Sequence, residues 1–203
     1  MPPTSLLIGT HNSGKLREIK NILGEVGLEI KSLNDFPSVG VAEENEDSYA
    51  GNATAKALYY AAATGLMSLG DDSGLEVTAL DGAPGLFSAR YAGEKASDSD
   101  RRILLLDNLE KSSSKDRSAR FVCAVAIAAP DQSVVKLAEG VCDGTIGFQS
   151  VGTGGFGYDP LFIPKGFSQT FAELPETQKS LISHRGRALA QIRDFLIRDN
   201  IQS

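Results

Sequence analysis

The chain has 203 residues, of which 41% are hydrophobic and 23% charged, and its formal net charge is −6. This length allows a sizeable core and predicts one bilobed domain over residues 1–203. The acidic balance argues against a broad nucleic-acid-binding surface, whereas a small anionic ligand needs only a few local cations or a divalent metal. No apolar run approaches the ~18 residues that span a bilayer, and the N-terminus has no signal-peptide pattern. Cys123 and Cys142 are typical of reduced core cysteines, so a cytoplasmic location is expected.

A strand, a polar turn and a helix are predicted at the start of the chain. The apolar residues 5–9 indicate a buried strand, and apolar residues at helical spacing begin at Leu16. Between them lies the segment Thr10-His11-Asn12-Ser13-Gly14-Lys15. This arrangement would aim backbone N–H groups at an anion, and Lys15 would add a full positive charge.

The same segment allows a second interpretation. The spacing from Gly9 to Lys15 matches the phosphate loop of nucleotide hydrolases, but Leu16 stands where a magnesium-binding Ser or Thr is required. Residues 103–107 would have to supply the second acidic motif of such an enzyme, and their polar surroundings favour a helix instead. A simple helix cap with a solvated lysine is the third interpretation.

An acidic cluster at residues 42–47 follows a predicted strand at 28–33 and precedes an alanine-rich helix predicted over 48–64. Acidic residues there stabilise a helix N-terminus, or one of them completes a magnesium site, because magnesium prefers oxygen ligands. Asn52 and Lys56 lie on one face of that helix, where they either reach a site together or are solvated.

Two adjacent carboxylates and a hydroxyl occur in Gly70-Asp71-Asp72-Ser73-Gly74-Leu75. The composition predicts a turn, with a strand after it at residues 76–80. Adjacent side chains on an extended segment point to opposite faces, so Asp71 and Asp72 are expected to differ in role. One would face a metal or water and the other a neighbouring cation or backbone amide. An ordinary surface turn is the alternative.

The middle of the chain predicts a loop at residues 81–85, a helix over 98–110 and a hairpin of strands 121–129 and 134–142. Arg90 lies beside an aromatic residue in a glycine-flanked loop, a setting suited to binding phosphate or a carboxylate.

A glycine loop at residues 152–160 has four glycines in six residues, which indicates close passage by a ligand. Phe156 offers a flat face on which a heterocyclic base can stack, and Asp159 can accept a hydrogen bond from a ring N–H. A flexible loop with a packed aromatic residue is the other interpretation.

The C-terminal segment predicts a helix capped by Ser183. His184 is one of only two histidines, which excludes a histidine-rich zinc site. A Ser-His-Asp triad remains compatible with the spacing, although no nucleophile-elbow sequence is present.

Taken in order, these segments resemble the inosine triphosphate pyrophosphatase family, also called the non-canonical purine nucleoside triphosphate pyrophosphatases. The resemblance spans nearly the whole chain and is carried by residues 10–15, Ala42-Glu43-Glu44, Asn52-Ala53 with Lys56-Ala57, Asp71-Asp72-Ser73-Gly74-Leu75, 88–93, 152–160 and 183–186. It implies an α/β fold with a long mixed twisted sheet flanked by helices, in two lobes with the active cleft between them. It also implies a homodimer, a magnesium requirement, and hydrolysis of ITP, dITP, XTP and dXTP to the monophosphate and pyrophosphate.

The resemblance further implies a role for each matching position. Asp72 is expected to be the general base and a metal-linked carboxylate, with Glu44 as the other metal ligand. Phosphate contacts are expected from Thr10, His11, Asn12, Ser13, Gly14, Lys15 and Ser73. Recognition of the base is expected from Phe156, Gly157, Tyr158, Asp159, Lys179, His184 and Arg185.

Two positions depart from the family pattern. The family commonly has Glu where this chain has Gly51, and many relatives have an acidic residue where it has Gln178. The first departure would loosen the metal site if that glutamate contributes to it, and the second is expected to be peripheral. A nucleotide-sensing module without chemistry is the alternative of a different class, and the intact Asp71-Asp72 pair argues against it.

Overall fold

A computed structural model describes residues 4–24 and 26–201 of the chain. In chain order, its strands and α-helices are β1 (Ser5–Gly9), α1 (Ser13–Leu23), β2 (Glu29–Ser32), α2 (Tyr49–Thr64), β3 (Met67–Val77), α3 (Asp98–Lys111), β4 (Ser118–Ala128), β5 (Val134–Ile146), β6 (Phe162–Pro164), α4 (Glu176–Ile182) and α5 (His184–Ile201). Three short 3-10 helices lie at Leu33–Asp35, Thr78–Leu80 and Gly85–Arg90.

The six strands form one sheet in the order β2-β1-β3-β4-β5-β6. Strand β1 runs parallel to both β2 and β3, whereas β5 and β6 are antiparallel. The expected α/β class, with a long mixed sheet flanked by helices, is therefore confirmed. In the register of β1 with β3, Gly9 lies opposite Gly70, which places the end of β1 beside the Asp71-Asp72 pair.

The chain divides into two compact units. Within the described residues, unit 1 comprises the chain up to Asp72, residues 123–140 and the residues from Arg185 onward. Unit 2 comprises Ser73–Val122 and Val141–His184. The expectation of one bilobed domain with the cleft between its lobes stays a prediction.

Each unit has its own apolar core. In unit 1, buried side chains of β1, β3, α1 and α5 pack together, among them Leu6, Leu69, Ile19 and Ile192. In unit 2, the core is rich in aromatic residues and includes Phe121, Phe162 and Phe171, whose rings contact one another. Both clusters bury the apolar side chains that the sequence pattern marks as strands and helices, which is the main source of their stability.

The predicted turn at residues 70–75 is wrong, because this segment lies inside β3, which runs from Met67 to Val77. The predicted strand at 76–80 is also wrong in extent, since β3 ends at Val77 and a 3-10 helix follows. The residues of this segment are typical of a turn, but burial and the neighbouring strands on both sides of β3 determine a strand conformation instead. The single C-terminal helix expected after Ser183 is preceded by a further helix, α4, which Ser183 terminates by donating its backbone N–H to the carbonyl of Lys179.

Helix α2 lies so close to β3 that Gly70 has no room for a side chain. A Cβ atom there would lie 2.1 Å from the carbonyl oxygen of Ala53 and 2.7 Å from the nitrogen of Ala57. Such contacts are far inside van der Waals distance, and both atoms belong to the backbone. Gly70 therefore allows the approach of α2 that brings Asn52 and Lys56 next to β3.

We expect Gly70→Ala to destabilise the protein by about 3 kcal/mol, the upper end for an overpacked core. Urea-induced unfolding measures this loss. Gly147→Ala is the matched control, because a Cβ there meets its nearest neighbour at an ordinary 3.5 Å. Equal unfolding midpoints for the two variants would contradict the close packing of α2 on β3.

Candidate active site

Lys15 is held at the start of α1 by a capped turn and an ion pair. The side-chain oxygen of Asn12 accepts a hydrogen bond from the backbone N–H of Lys15 at 3.0 Å and caps the helix. The hydroxyl of Thr10 accepts one from the N–H of Asn12 at 3.2 Å. The ammonium of Lys15 lies 2.5 Å from Oδ1 of Asp71, with its side chain 15% exposed. The turn thus presents a lysine whose position is fixed by β3.

The phosphate-loop alternative loses its second motif in this structure. Residues 103–107, which would have to form a strand, lie in the middle of helix α3. Together with Leu16 at the magnesium-binding position, this placement argues against a phosphate-loop hydrolase or kinase.

Asp71 is a fully buried carboxylate surrounded by donors. Besides Lys15, it accepts hydrogen bonds from Nε of Arg185 at 2.9 Å and from the thiol of Cys123 at 3.1 Å. Burial alone would raise the pKa of Asp71, but the charges of Arg185 and Lys15 outweigh it and hold this pKa well below its usual value. Asp71 is therefore charged at neutral pH and is a poor proton acceptor.

Asp72 lies in a different environment, in contact with α2. It accepts a hydrogen bond from Nδ2 of Asn52 at 3.0 Å, and the ammonium of Lys56 lies 3.4 Å from its Oδ1. Burial raises the pKa of Asp72, Lys56 and Lys15 oppose that shift, and the nearby Glu44 carboxylate adds to it. Of the two adjacent carboxylates, Asp72 is the one suited to accept a proton.

Lys56 joins Asp72 to the loop before α2. Its ammonium lies 2.6 Å from Oε1 of Glu44 as well as against Asp72. Burial lowers the pKa of Lys56, but the two carboxylates more than compensate and raise it, so this lysine stays charged. Asn52 also joins Asp72 to this loop, because its amide oxygen accepts a hydrogen bond from the backbone N–H of Glu46 at 3.0 Å.

The carboxylates of Glu44 and Asp72 fit the oxygen-ligand chemistry of magnesium. Both contact the same ammonium, so they border one polar region. In the part of the chain that the structure describes, no group of three or more His, Cys, Asp and Glu residues is arranged to hold a metal ion. Two carboxylates suit a magnesium ion that keeps several waters and bridges to substrate phosphates.

Sequence reasoning left Asn52 and Lys56 undecided between a site and a solvated face, and the structure buries both against Asp72. Their four-residue spacing in an alanine-rich helix was the signal available.

Gly51, the departure in the same helix, leaves space for Glu46, whose Cβ would lie 2.8 Å from a Cβ at position 51. Gln178, the other departure, is exposed on α4.

In unit 2, the structure brings together Phe156, Asp159 and Lys179. Oδ2 of Asp159 accepts hydrogen bonds from the backbone N–H of Phe156 at 2.8 Å and from the ammonium of Lys179 at 2.6 Å. The same ammonium lies 5.2 Å from the ring centroid of Phe156, within cation–π range. Gly155 allows the carboxylate of Asp159 to lie this close to the loop backbone, since the φ of Gly155 is +69° and a Cβ there would lie 2.0 Å from Oδ2 of Asp159.

Three other residues expected on the base side make packing or loop contacts. The backbone N–H of Gly157 donates to Asp98 at 2.7 Å. Tyr158 is buried, and its hydroxyl donates to a main-chain carbonyl at 3.0 Å. The ring of His184 stacks on Phe121 with a centroid distance of 4.5 Å. Their predicted contacts with a base stay predictions.

The remaining predicted residues divide between the units. Ser73 is half-buried on β3 in unit 2, and the buried guanidinium of Arg185 contacts Asp71 and Glu18 within unit 1. Unit 1 therefore contains the residues expected at the phosphates and the metal, apart from Ser73. Unit 2 contains those expected at the base, apart from Arg185.

We expect Gly155→Ala to raise KM for a purine nucleoside triphosphate about tenfold, equivalent to about 1.4 kcal/mol of binding. The added methyl group would displace the Asp159 carboxylate from Lys179. Steady-state kinetics measures the change. Gly166→Ala is the control, because its φ of +89° imposes similar backbone strain with nothing within 4 Å of the new Cβ. Equal KM values in the two variants would show that strain alone is responsible.

Comparison with known proteins gives a consistent result. The model of the Ham1 family matches residues 6–195. A dITP/XTP pyrophosphatase of Exiguobacterium sibiricum is 44% identical over 187 residues, covering 92% of this chain and 94% of that protein. A dITP/XTP pyrophosphatase of Desulforamulus reducens is 46% identical over 193 residues, covering 95% and 96%.

Solved structures agree with these relatives. A HAM1 protein from Coxiella burnetii superposes with a TM-score of 0.87 at 38% identity, covering 96% of this chain and 98% of that one. A nucleoside-triphosphatase, or dITP/XTP pyrophosphatase, from Mycobacterium abscessus superposes with a TM-score of 0.73 at 40% identity, covering 93% and 98%.

Proposed function

The chain belongs to the Ham1 family, and we propose that it hydrolyses ITP, dITP, XTP and dXTP to the monophosphate and pyrophosphate. The relatives named dITP/XTP pyrophosphatase support this activity. Within the structure, the observation that carries it is the different surroundings of two adjacent carboxylates: Asp71 is paired with Lys15 and Arg185, whereas Asp72 contacts Asn52 and Lys56. Such an activity removes deaminated purines from the nucleotide pool.

The reaction requires a base and an oriented water at the α-phosphorus. Asp72 takes a proton from the water while the water oxygen bonds to the α-phosphorus and the bond from that phosphorus to the α–β bridging oxygen breaks. Pyrophosphate leaves with the bridging oxygen. Asn52 and Lys56 fix the two oxygens of Asp72 and so set the direction in which it accepts the proton.

The triphosphate is a polyanion, and Lys15 supplies positive charge to stabilise it. Glu44 and Asp72 would hold a magnesium ion, which would screen the phosphate charge when bound. Because Lys15 is already fixed by Asp71, its charge needs little reorganisation during the reaction.

Selection for 6-oxopurines would rest on donors aimed at O6, and Lys179 is the best placed of the candidates. Asp159 holds its ammonium over the ring of Phe156, where a base could also stack. Adenine would place its amino group against this donor, and an unpaired buried polar group costs ~1–3 kcal/mol. Guanine shares O6 with hypoxanthine, so its rejection must depend on its 2-amino group.

A homodimer and a cytoplasmic location belong to the same proposal. The two buried free cysteines accord with a reducing compartment. None of the helices described by the structure has the length and apolar character needed to cross a membrane.

The proposal is tested by identifying the products formed from dITP with and without magnesium. We expect dIMP and pyrophosphate, formed only when magnesium is present. Release of dIDP and inorganic phosphate would contradict cleavage at the α–β bond. Tight binding of dITP without turnover would favour the nucleotide-sensing module, and a need for a second substrate would favour a kinase.

A further inference from the structure

Four charged side chains of alternating sign form a network inside unit 1. Nη1 of Arg185 donates to Oε2 of Glu18 at 2.6 Å, and its Nε donates to Oδ2 of Asp71 at 2.9 Å. The opposite oxygen of Asp71 contacts the ammonium of Lys15 at 2.5 Å. The side chains of Glu18, Arg185 and Asp71 are at most 8% exposed, whereas that of Lys15 is 15% exposed.

In this network of four charges, each of the two middle charges interacts with two opposite charges. Arg185 divides its attraction between Glu18 and Asp71, and Asp71 divides its own between Arg185 and Lys15. Buried charges interact strongly because little water screens them. If Glu18 lost its charge, Asp71 would interact more strongly with Arg185 and would hold Lys15 less firmly.

The guanidinium of Arg185 directs its donors into this network. Its Nε donates a hydrogen bond to Asp71 and its Nη1 donates one to Glu18, while Nη2 lies 3.4 Å from Oδ1 of Asp71. A planar guanidinium forms such forked contacts with fixed geometry, which makes it suited to orienting a carboxylate. The residue is 2% exposed.

We propose that Glu18 and Arg185 are positioning residues that act on the triphosphate through Asp71 and Lys15. The expected contact of Arg185 with the base stays a prediction, and the present assignment rests on the proposed function for the role of Lys15 at the phosphates. It adds Glu18, which no sequence pattern singled out, to the residues that determine turnover.

A double-mutant cycle tests the proposal. Glu18→Gln should lower kcat/KM for dITP about tenfold in the wild-type background, within the coupling expected of residues that share one network. In a Lys15→Met background the same substitution should have almost no further effect. An equal loss in both backgrounds would show that Glu18 acts independently of Lys15 and would overturn the proposal.

The base preference gives a second readout. Because Lys15 is expected at the phosphates, Glu18→Gln should lower kcat/KM for dITP and dATP by the same factor. A changed ratio between the two nucleotides would indicate that the network acts on the base. Glu29→Gln is the matched control, since Glu29 is an exposed carboxylate that contacts Lys31 at 2.7 Å in the same unit and should leave both rates unchanged.

A third variant and a binding assay protect the test against misfolding and against failure of the proposed function. Cys123→Ala removes a donor to Asp71 without changing a charge, and its smaller loss of kcat/KM should also vanish in the Lys15→Met background.

Calorimetry with inorganic tripolyphosphate should show weaker binding in Glu18→Gln, again only when Lys15 is present. If dITP is not hydrolysed, the proposed function fails while this assay still decides on the network. Equal tripolyphosphate binding by the wild type and Glu18→Gln would overturn the inference.

Discussion

Asp72→Asn is expected to lower kcat for pyrophosphate release from dITP by about 10²–10⁴-fold, the usual contribution of a general base. Asparagine keeps the shape of the side chain and can still contact Asn52, so the variant should fold. Stopped assays at saturating dITP measure the effect. Asp194→Asn, a change of an exposed carboxylate on α5, is the control and should retain full activity.

The magnesium dependence separates the two roles expected of Asp72. If the residue served only to bind the metal, a large excess of magnesium would restore turnover in Asp72→Asn. We expect no such recovery, because the amide cannot accept the proton of the attacking water. A kcat within a few-fold of the wild type at high magnesium would contradict the assignment of Asp72 as the base.

Asp71→Asn is expected to be the most destabilising of the single substitutions considered, at about 3–5 kcal/mol, because it leaves buried cations without their partner. Arg185 and Lys15 both depend on this carboxylate, and the side chain of Arg185 is almost fully buried. Urea-induced unfolding at neutral pH measures the loss. Glu29→Gln, which alters an exposed ion pair, should leave the unfolding midpoint unchanged. A midpoint for Asp71→Asn equal to that of the wild type would contradict the network.

The same carboxyl should contribute to acid unfolding. The pKa of Asp71 is well below its usual value in the folded protein, where burial is outweighed by the charges of Arg185 and Lys15. Its contribution to stability is therefore complete above the ordinary aspartate pKa of about 3.9 and is lost as the pH falls from there toward the folded-state value. Any folded Asp71→Asn variant should lack this part of the pH dependence.

Local signals predicted several parts of the molecule well. Hydrophobic runs and alanine content located β1 and α2, and the capped turn before Lys15 lies where the glycine-bearing segment placed it. The segment at residues 70–75 was mistaken for a turn because its composition is typical of turns. Its strand conformation depends on neighbouring strands and on the close approach of α2, which no local pattern records.

Partners distant in sequence explain the rest. Glu18 and Arg185 are 167 residues apart, and Asp71 and Arg185 are 114 apart, so no spacing rule connects them. Asp159 and Lys179 were both singled out, but their ion pair follows from the fold of the glycine loop and from α4, a helix that the sequence did not predict. The motifs therefore identified the chemical groups, and tertiary structure determined which of them meet.

The most direct test of the proposed activity is the rate of pyrophosphate release from dITP, XTP, dATP and dGTP by the wild-type protein with magnesium. We expect a kcat/KM for dITP and XTP that greatly exceeds that for dATP and dGTP. Equal hydrolysis of all four nucleotides, or of none, would contradict the assignment of this chain as a pyrophosphatase selective for deaminated purines.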